Sequence, residues 1–229
     1  MAIISLIDMK IVNSTSLAPL IVFEGVDGVG KTTIAKLVVQ QLTSEGKDIV
    51  YESFPGKASG TLGRFVYDLH HSNLHSSIDP TSMQLLHIAA HIDAIENRIK
   101  PLLQNGIAVV LDRYWWSTLA YGVVFGANRQ SLDAMIDVEL KHWDGIQPDF
   151  LFYINREMTF ESASDLEQSR NLEIEYNLLI KATLKQFEIE IVNNKTIQDT
   201  VEKAFDKVNS ILDQKIRGAQ NVYKNNKGI

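Results

Sequence analysis

Apolar residues in this chain come in short unbroken runs, separated by longer stretches in which they recur every three or four positions. The run Leu20, Ile21, Val22, Phe23, stopped by Gly25, predicts a buried strand, and Thr32 to Leu42 carries apolar side chains at helical spacing. The alternation continues with a strand over Asp48 to Tyr51, a long helix over Pro80 to Gln104, and strands over Ile107 to Leu111 and Phe150 to Ile154. A helix over about Leu166 to Phe187, a strand at Glu188 to Val192 and a helix from Thr196 to about Lys215 complete the pattern. Apolar strands alternating with helices predict an α/β three-layer sandwich, a five-stranded parallel sheet with helices on both faces. Ligands of such sheets collect at the carboxyl ends of the strands.

A chain of 229 residues, 45% of them hydrophobic, is long enough to bury a core as one domain without disulfides or structural metal. The pattern places that core at about residues 20–212, after an N-terminal extension over 1–19 and before a disordered tail over 217–229 rich in Asn, Lys and Gly. A net charge of -6 argues against a broad basic face for nucleic acid and favours small anionic ligands. The absence of cysteine removes disulfides, thiol catalysis and thiolate zinc sites, and fits a reducing compartment. The apolar patch Ala2 to Ile7 is broken by Asp8 and Lys10 and has no basic segment before it, so it does not read as a signal peptide. No run approaches the roughly 18 apolar residues of a membrane span, and the expected location is cytoplasmic, with no membrane partner.

The sharpest local signal is Gly25, Val26, Asp27, Gly28, Val29, Gly30, Lys31, Thr32, which fits G-x-x-x-x-G-K-[ST] between a predicted strand and a predicted helix. Glycines let the backbone curl its N–H groups around phosphate oxygens, and the helix that starts there adds the positive end of its dipole. Lys31 is then the charge for the β- and γ-phosphates of ATP, and the Thr32 hydroxyl a ligand for Mg2+, with Thr33 beside it. Asp112, at the mouth of the strand ending at Leu111, is a second magnesium candidate.

Taken with these elements, the segment Phe23 to Thr33, the run Asp112, Arg113, Tyr114 and the run Ser117, Thr118, Leu119, Ala120, Tyr121 make the chain resemble the thymidylate kinase family. Further matches are Phe54 and Pro55, the helix from Ala89 and Ala90 through Ile99, Lys100 and Pro101 to Asn105 and Gly106, and Pro148 with Asp149. The resemblance covers about Leu20 to Leu212 and implies a P-loop NTPase-type fold with a short lid. It implies an ATP- and Mg2+-dependent kinase that phosphorylates dTMP or a related deoxypyrimidine monophosphate, commonly as a homodimer. By motif position it implies that Asp27 contacts the deoxyribose and Arg113 the acceptor phosphate, with Phe54 and Tyr114 in the same acceptor set. Tyr121 stands at the aromatic position against the sugar. Lys57 stands where the family has an arginine for the acceptor phosphate, a change that keeps charge and loses the bidentate fork.

Two departures from the family pattern follow. The base-recognition helix of the family carries a Phe and, four residues on, an Arg, where this chain has His87 and His91 on one helical face. An imidazole presents a smaller face than phenyl and fewer donors than guanidinium, and a neutral His91 nitrogen accepts from a cytosine amino group where arginine only donates. The same pair also reads as solvated or merely packed histidines, or, less readily, as two ligands of a metal with no third in view. The lid segment, roughly Asn155 to Asn171, holds only Arg156 and Arg170, and Arg170 is the candidate for the transferred phosphoryl. Two other readings stay open: a nucleotide-binding homologue without turnover, and a deoxynucleoside kinase using Glu24 or Glu52 as base.

Overall fold

The computed structural model describes residues 17–72, 77–160 and 162–226. The N-terminal extension up to residue 16 and the last three residues of the tail lie outside them. Five parallel strands form one sheet: β1 (Leu20–Glu24), β2 (Ile49–Ser53), β3 (Ala108–Asp112), β4 (Phe150–Asn155) and β5 (Glu188–Asn193). Their order is β2-β3-β1-β4-β5, with Phe23 paired to Asp112 and to Phe152 in the centre. The chain departs from β1 in both directions, and at such a reversal the loops diverge and leave a crevice above the strand ends. β1 and β3 are buried along their whole length, as a central strand covered on both faces must be.

Helices cover the sheet: α1 (Lys31–Ser44), α2 (Leu62–His70), α3 (Pro80–Ala94), α4 (Lys100–Gln104), α5 (Trp115–Val124), α6 (Arg129–His142), α7 (Ala163–Thr183) and α8 (Ile197–Asn226). The single helix expected over Pro80 to Gln104 is α3 and α4 joined by a π-helical turn, Ile95–Ile99. Helices α2, α5 and α6 are additional to the expected elements, although α2 carries Leu62, Phe65, Val66 and Leu69 at helical spacing and α6 carries Leu132, Met135, Ile136 and Leu140. In α5 the buried set runs almost continuously from Trp115 to Ala120, so no polar face marks it as a helix.

Two expectations change. The closing helix, expected to end near Lys215, continues through Asn226, so most of the expected disordered tail is helical backbone, in a stretch whose Ala219, Gln220 and Lys224 are good helix formers. The expected lid is largely the start of α7, because Ser162 caps that helix by accepting from the Asp165 N–H at 3.1 Å. Among the described residues no helix is long and apolar enough to cross a membrane.

Candidate active site

The phosphate-binding loop leaves β1 at Gly25 and enters α1 at Lys31, as expected. Gly25 has φ of +138°, and a Cβ there would lie 2.2 Å from the Ile154 carbonyl oxygen, so backbone conformation and space both demand glycine. Lys31 is buried and its Nζ donates to the Val26 carbonyl at 2.7 Å. That contact arches the lysine back over its own loop. Burial, then the nearby Arg113 charge, push the Lys31 ammonium down to about 8. The loop is also held from behind. The buried Asn194, just past β5, donates through Nδ2 to the Val29 carbonyl at 2.7 Å and accepts from the Thr200 hydroxyl at 3.0 Å.

The depressed lysine has a sign that can be tested. In the unfolded chain Lys31 keeps its proton to about 10.4, so between about 8 and that value the unfolded state binds more protons. Stability of the ligand-free protein therefore rises with pH across this window. A triphosphate reverses the effect by restoring the charge, so ATP binding at pH 8.5 takes up a substantial fraction of a proton, and little at pH 6.5. Titration calorimetry in buffers of different ionisation enthalpy reads this directly; equal proton uptake at both pH values would contradict it.

Asp112 ends β3 beside the loop. Its Oδ2 accepts from the Thr32 hydroxyl at 2.5 Å and from the Tyr51 hydroxyl at 2.9 Å, while its Oδ1 is buried with no hydrogen-bond partner among the described residues. An orphaned carboxylate oxygen next to a P-loop hydroxyl is the donor set a magnesium ion needs, the rest of its shell coming from phosphate oxygens and water. The two residues expected at the metal thus fit it. Among the described residues no group of three or more His, Cys, Asp or Glu is placed to hold a metal, so His87 and His91 gain no third ligand.

Arg113, the residue after β3, takes a left-handed backbone, φ 75°, rare for a non-glycine residue and typical of functional strain. Its guanidinium bonds Asp27 of the loop and the Ser117 hydroxyl, the latter at 2.8 Å, and lies 5.2 Å from the Tyr121 ring. The Tyr121 hydroxyl donates to Asp27 Oδ2 and accepts from the Asp27 N–H, each at 2.9 Å. Against the upward pull of burial, Arg113 and then Lys31 hold the Asp27 carboxyl below its ordinary range. Beneath this triad Glu24 is fully buried. It accepts from the N–H groups of Tyr114 (2.7 Å), Ser117 (3.1 Å) and Gly25 (3.2 Å) and from the hydroxyls of Ser117 (2.8 Å) and Tyr176 (3.1 Å).

All of this opens into one cavity of about 1050 Å³ at the carboxyl ends of the strands, larger than a pocket for one small molecule needs. Its wall includes Asp27, Gly28, Gly30, Lys31, Thr32, Thr33 and Asp112 at one end and Phe54, Lys57, His87, His91, Arg113 and Tyr121 at the other. Lys57 is exposed with its Nζ 4.3 Å above the Tyr67 ring, a cation–π contact that holds it toward the cleft. His91 lies in the wall rather than projecting from it. Its ring stacks on Phe54, 4.0 Å between centroids, and its Nδ1 is 2.8 Å from the buried Glu139 carboxylate, which makes Nδ1 the protonated nitrogen. His87, His70 and His71 extend this imidazole wall, His70 standing edge-on to both neighbours.

Several expected residues are elsewhere. Tyr114 does not reach the cavity. The extended backbone at the start of α5 turns its ring into the core, 5.6 Å from Trp143. Gly25, Val26 and Val29 stand behind the loop and only their neighbours face the cleft. Arg170 is exposed on α7 on the side opposite its buried Ser169, Leu172 and Tyr176, and neither it nor Arg156 lines the cavity. Glu24 is sealed by its donors and cannot act as a base, and Glu52 is ion-paired to Arg98. Asn194, Glu139, Tyr51, Gln84 and Arg98 belong to the site or its support and were not read from the sequence.

The central parallel sheet, the loop that grips phosphate and the carboxylate at the end of β3 define a P-loop protein of the nucleotide-kinase class. The match to known proteins narrows the class: residues 23–213 fit the thymidylate kinase family model. The chain belongs to the thymidylate kinase family. It is 41% identical over 101 residues to the thymidylate kinase of Neorickettsia sennetsu, covering 44% of this chain and 48% of that protein. It is 28% identical over 207 residues to the thymidylate kinase of Mesoplasma florum, covering 86% of this chain and 95% of that one. The chain thus spans about half the length of the first of these relatives and nearly all of the second, which is the less identical. The thymidylate kinase structure from Ehrlichia chaffeensis superposes with a TM-score of 0.69 at 23% identity, over 83% of this chain and 98% of that one, which establishes the shared fold.

Proposed function

We propose that this chain is an ATP- and magnesium-dependent nucleoside monophosphate kinase, moving the γ-phosphoryl of ATP to dTMP or a related deoxypyrimidine monophosphate. The observation that carries the reading is that Lys31, Thr32 and Asp112 face Arg113, Lys57 and the imidazole wall across one cavity. In this reading Lys31 leaves the Val26 carbonyl for the β- and γ-phosphates, and Arg113 exchanges Asp27 for the acceptor phosphate, bringing the attacking oxygen into line. Asp27 and Tyr121 border the sugar, and His87 and His91 the base. Magnesium, which Thr32 and Asp112 would hold with the ATP phosphates, supplies neutralisation of phosphate charge. The acceptor phosphate is already anionic at neutral pH, so no general base is needed. The burial of Glu24 and the pairing of Glu52 favour this over phosphorylation of a sugar hydroxyl. Family likeness also supports pairing of two copies through helices and action in the cytoplasm.

A coupled assay of ADP release, run with dTMP, dUMP, dCMP, UMP and thymidine, tests the reading. A deoxypyrimidine monophosphate is expected to outpace UMP by about tenfold or more, because a site fitted to one substrate group discriminates by roughly 1–3 kcal/mol, and thymidine is expected to be inert. Release stimulated by thymidine instead favours the deoxynucleoside kinase, and ATP binding without transfer to any monophosphate favours the non-catalytic homologue.

A further inference from the structure

The long helix begun at Pro80 changes its winding at Ile95, and Pro101 is the reason. Proline brings no amide N–H, and in an α-helix its ring would meet the carbonyl four residues earlier, that of Asn97. The chain responds with the π turn Ile95–Ile99, closed by the Lys100 N–H donating to the Ile95 carbonyl. Single π turns inside α-helices are frequent at functional sites. This one keeps Ile95 and Ile99 in the core and carries Arg98 in the wall of the nucleotide cavity.

The surroundings of Arg98 point to an anion. Its Nη2 lies 3.1 Å from Glu52 Oε2, and a Cβ on Gly56 would be 3.3 Å from the same nitrogen, so the guanidinium lies against the loop that carries Lys57. That loop is tied to the end of β3, because the Phe54 N–H donates to the Asp112 carbonyl at 3.0 Å, one residue before Arg113. Lys57, Arg98 and Arg113 all line the same cavity. Lys57 offers a point charge, and Arg113 is already committed to Asp27 and Ser117. Glu52 engages one terminal nitrogen of a group with five N–H donors and orients the rest.

We infer that Arg98 is a third cation for the acceptor phosphate, supplying the planar fork that Lys57 lacks. The inference rests on the kinase reading above. Glu52 is then a positioning residue: it holds the guanidinium in the wall and repels the incoming dianion. The competing account makes the pair purely structural, Arg98 neutralising a half-buried carboxylate.

Titration calorimetry with dTMP and thymidine on wild type, Arg98→Ala, Arg98→Lys and Glu52→Gln separates the two, and dCMP with deoxycytidine repeats the comparison for the other base. Arg98→Ala is expected to weaken the monophosphate about 10- to 100-fold, the loss of one charge-assisted hydrogen-bonding group, and to leave the nucleoside unchanged. Arg98→Lys recovers part of the loss, and Glu52→Gln strengthens monophosphate binding. Equal weakening of nucleotide and nucleoside, no weakening of either, or a wild type that binds monophosphate no better than nucleoside would overturn the inference. A wild type that binds monophosphate in an Arg98-dependent way yet releases no ADP refutes the kinase reading and leaves Arg98 as an anion-binding residue.

Discussion

On the proposed kinase reading, Lys31→Met is expected to lower kcat/KM for phosphoryl transfer by roughly 10³-fold or more, on the scale of losing a preorganised charge at the transferring phosphoryl, while the protein melts no lower than wild type. The two halves of this result come from one geometry. Lys31 is the buried cation of the loop, and its Nζ donates to the carbonyl of Val26 at 2.7 Å. Methionine fills nearly the same volume with no charge to bury, so the fold loses one hydrogen bond and is relieved of a desolvated ammonium. Transfer loses the charge that follows the γ-phosphoryl. Arg170 does not line the cleft, and Lys36, which does, is exposed with its Nζ 5.2 Å from the Tyr51 ring rather than seated in the loop as Lys31 is, so it does not replace it. Steady-state kinetics beside a thermal melt decide the matter: near-normal kcat/KM would remove Lys31 from the chemistry, and a large fall in melting temperature would make it structural.

Glu24→Ala is expected to cost about 3–5 kcal/mol, the range for removing one partner of a buried charged network, and so to lower the melting temperature by roughly 6–20 °C for a domain of this size. The carboxylate is 0% exposed and is met by three backbone N–H groups and two hydroxyls. Burial raises its carboxyl above the ordinary range, and Arg113 and the Ser117 hydrogen bond pull it back. Without it those donors lose their acceptor in a space water does not readily fill. The same donors position the start of the loop at Gly25 and the start of α5 at Tyr114, so kcat should fall with stability. A melt within a degree or two of wild type would show that the network is dispensable.

The legible part of this molecule is the part written in adjacent residues. A strand, a glycine loop and a helix follow one another over Leu20 to Ser44, so the pattern contained fold and phosphate site together. Asp112 was readable as a magnesium candidate because it ends a buried strand, whereas Arg113 entered only through the family motif. The opaque part is joined through space. Asn194 steadies Val29 from 165 positions away, and Glu139 meets His91 across 48. No local period announces either contact. Arg98 lies within a stretch expected as one long helix, and only the wide turn before Pro101 shows where it stands. Tyr114 and Arg170 failed for a related reason: a motif gives a residue's place in the chain, and packing decides which way it faces.

The bond between Arg113 and Asp27 has a wider consequence. Asp27 belongs to the loop proposed for one nucleotide, and Arg113 to the strand end proposed for the other, with Tyr121 hydrogen-bonded to Asp27 and its ring 5.2 Å from the Arg113 guanidinium. The cleft therefore has no independent halves. Any ligand that draws Arg113 away changes the charge and freedom of Asp27, and linkage requires the exchange to run equally in both directions. On the kinase reading, the affinities for the two nucleotides are thus coupled through one ion pair.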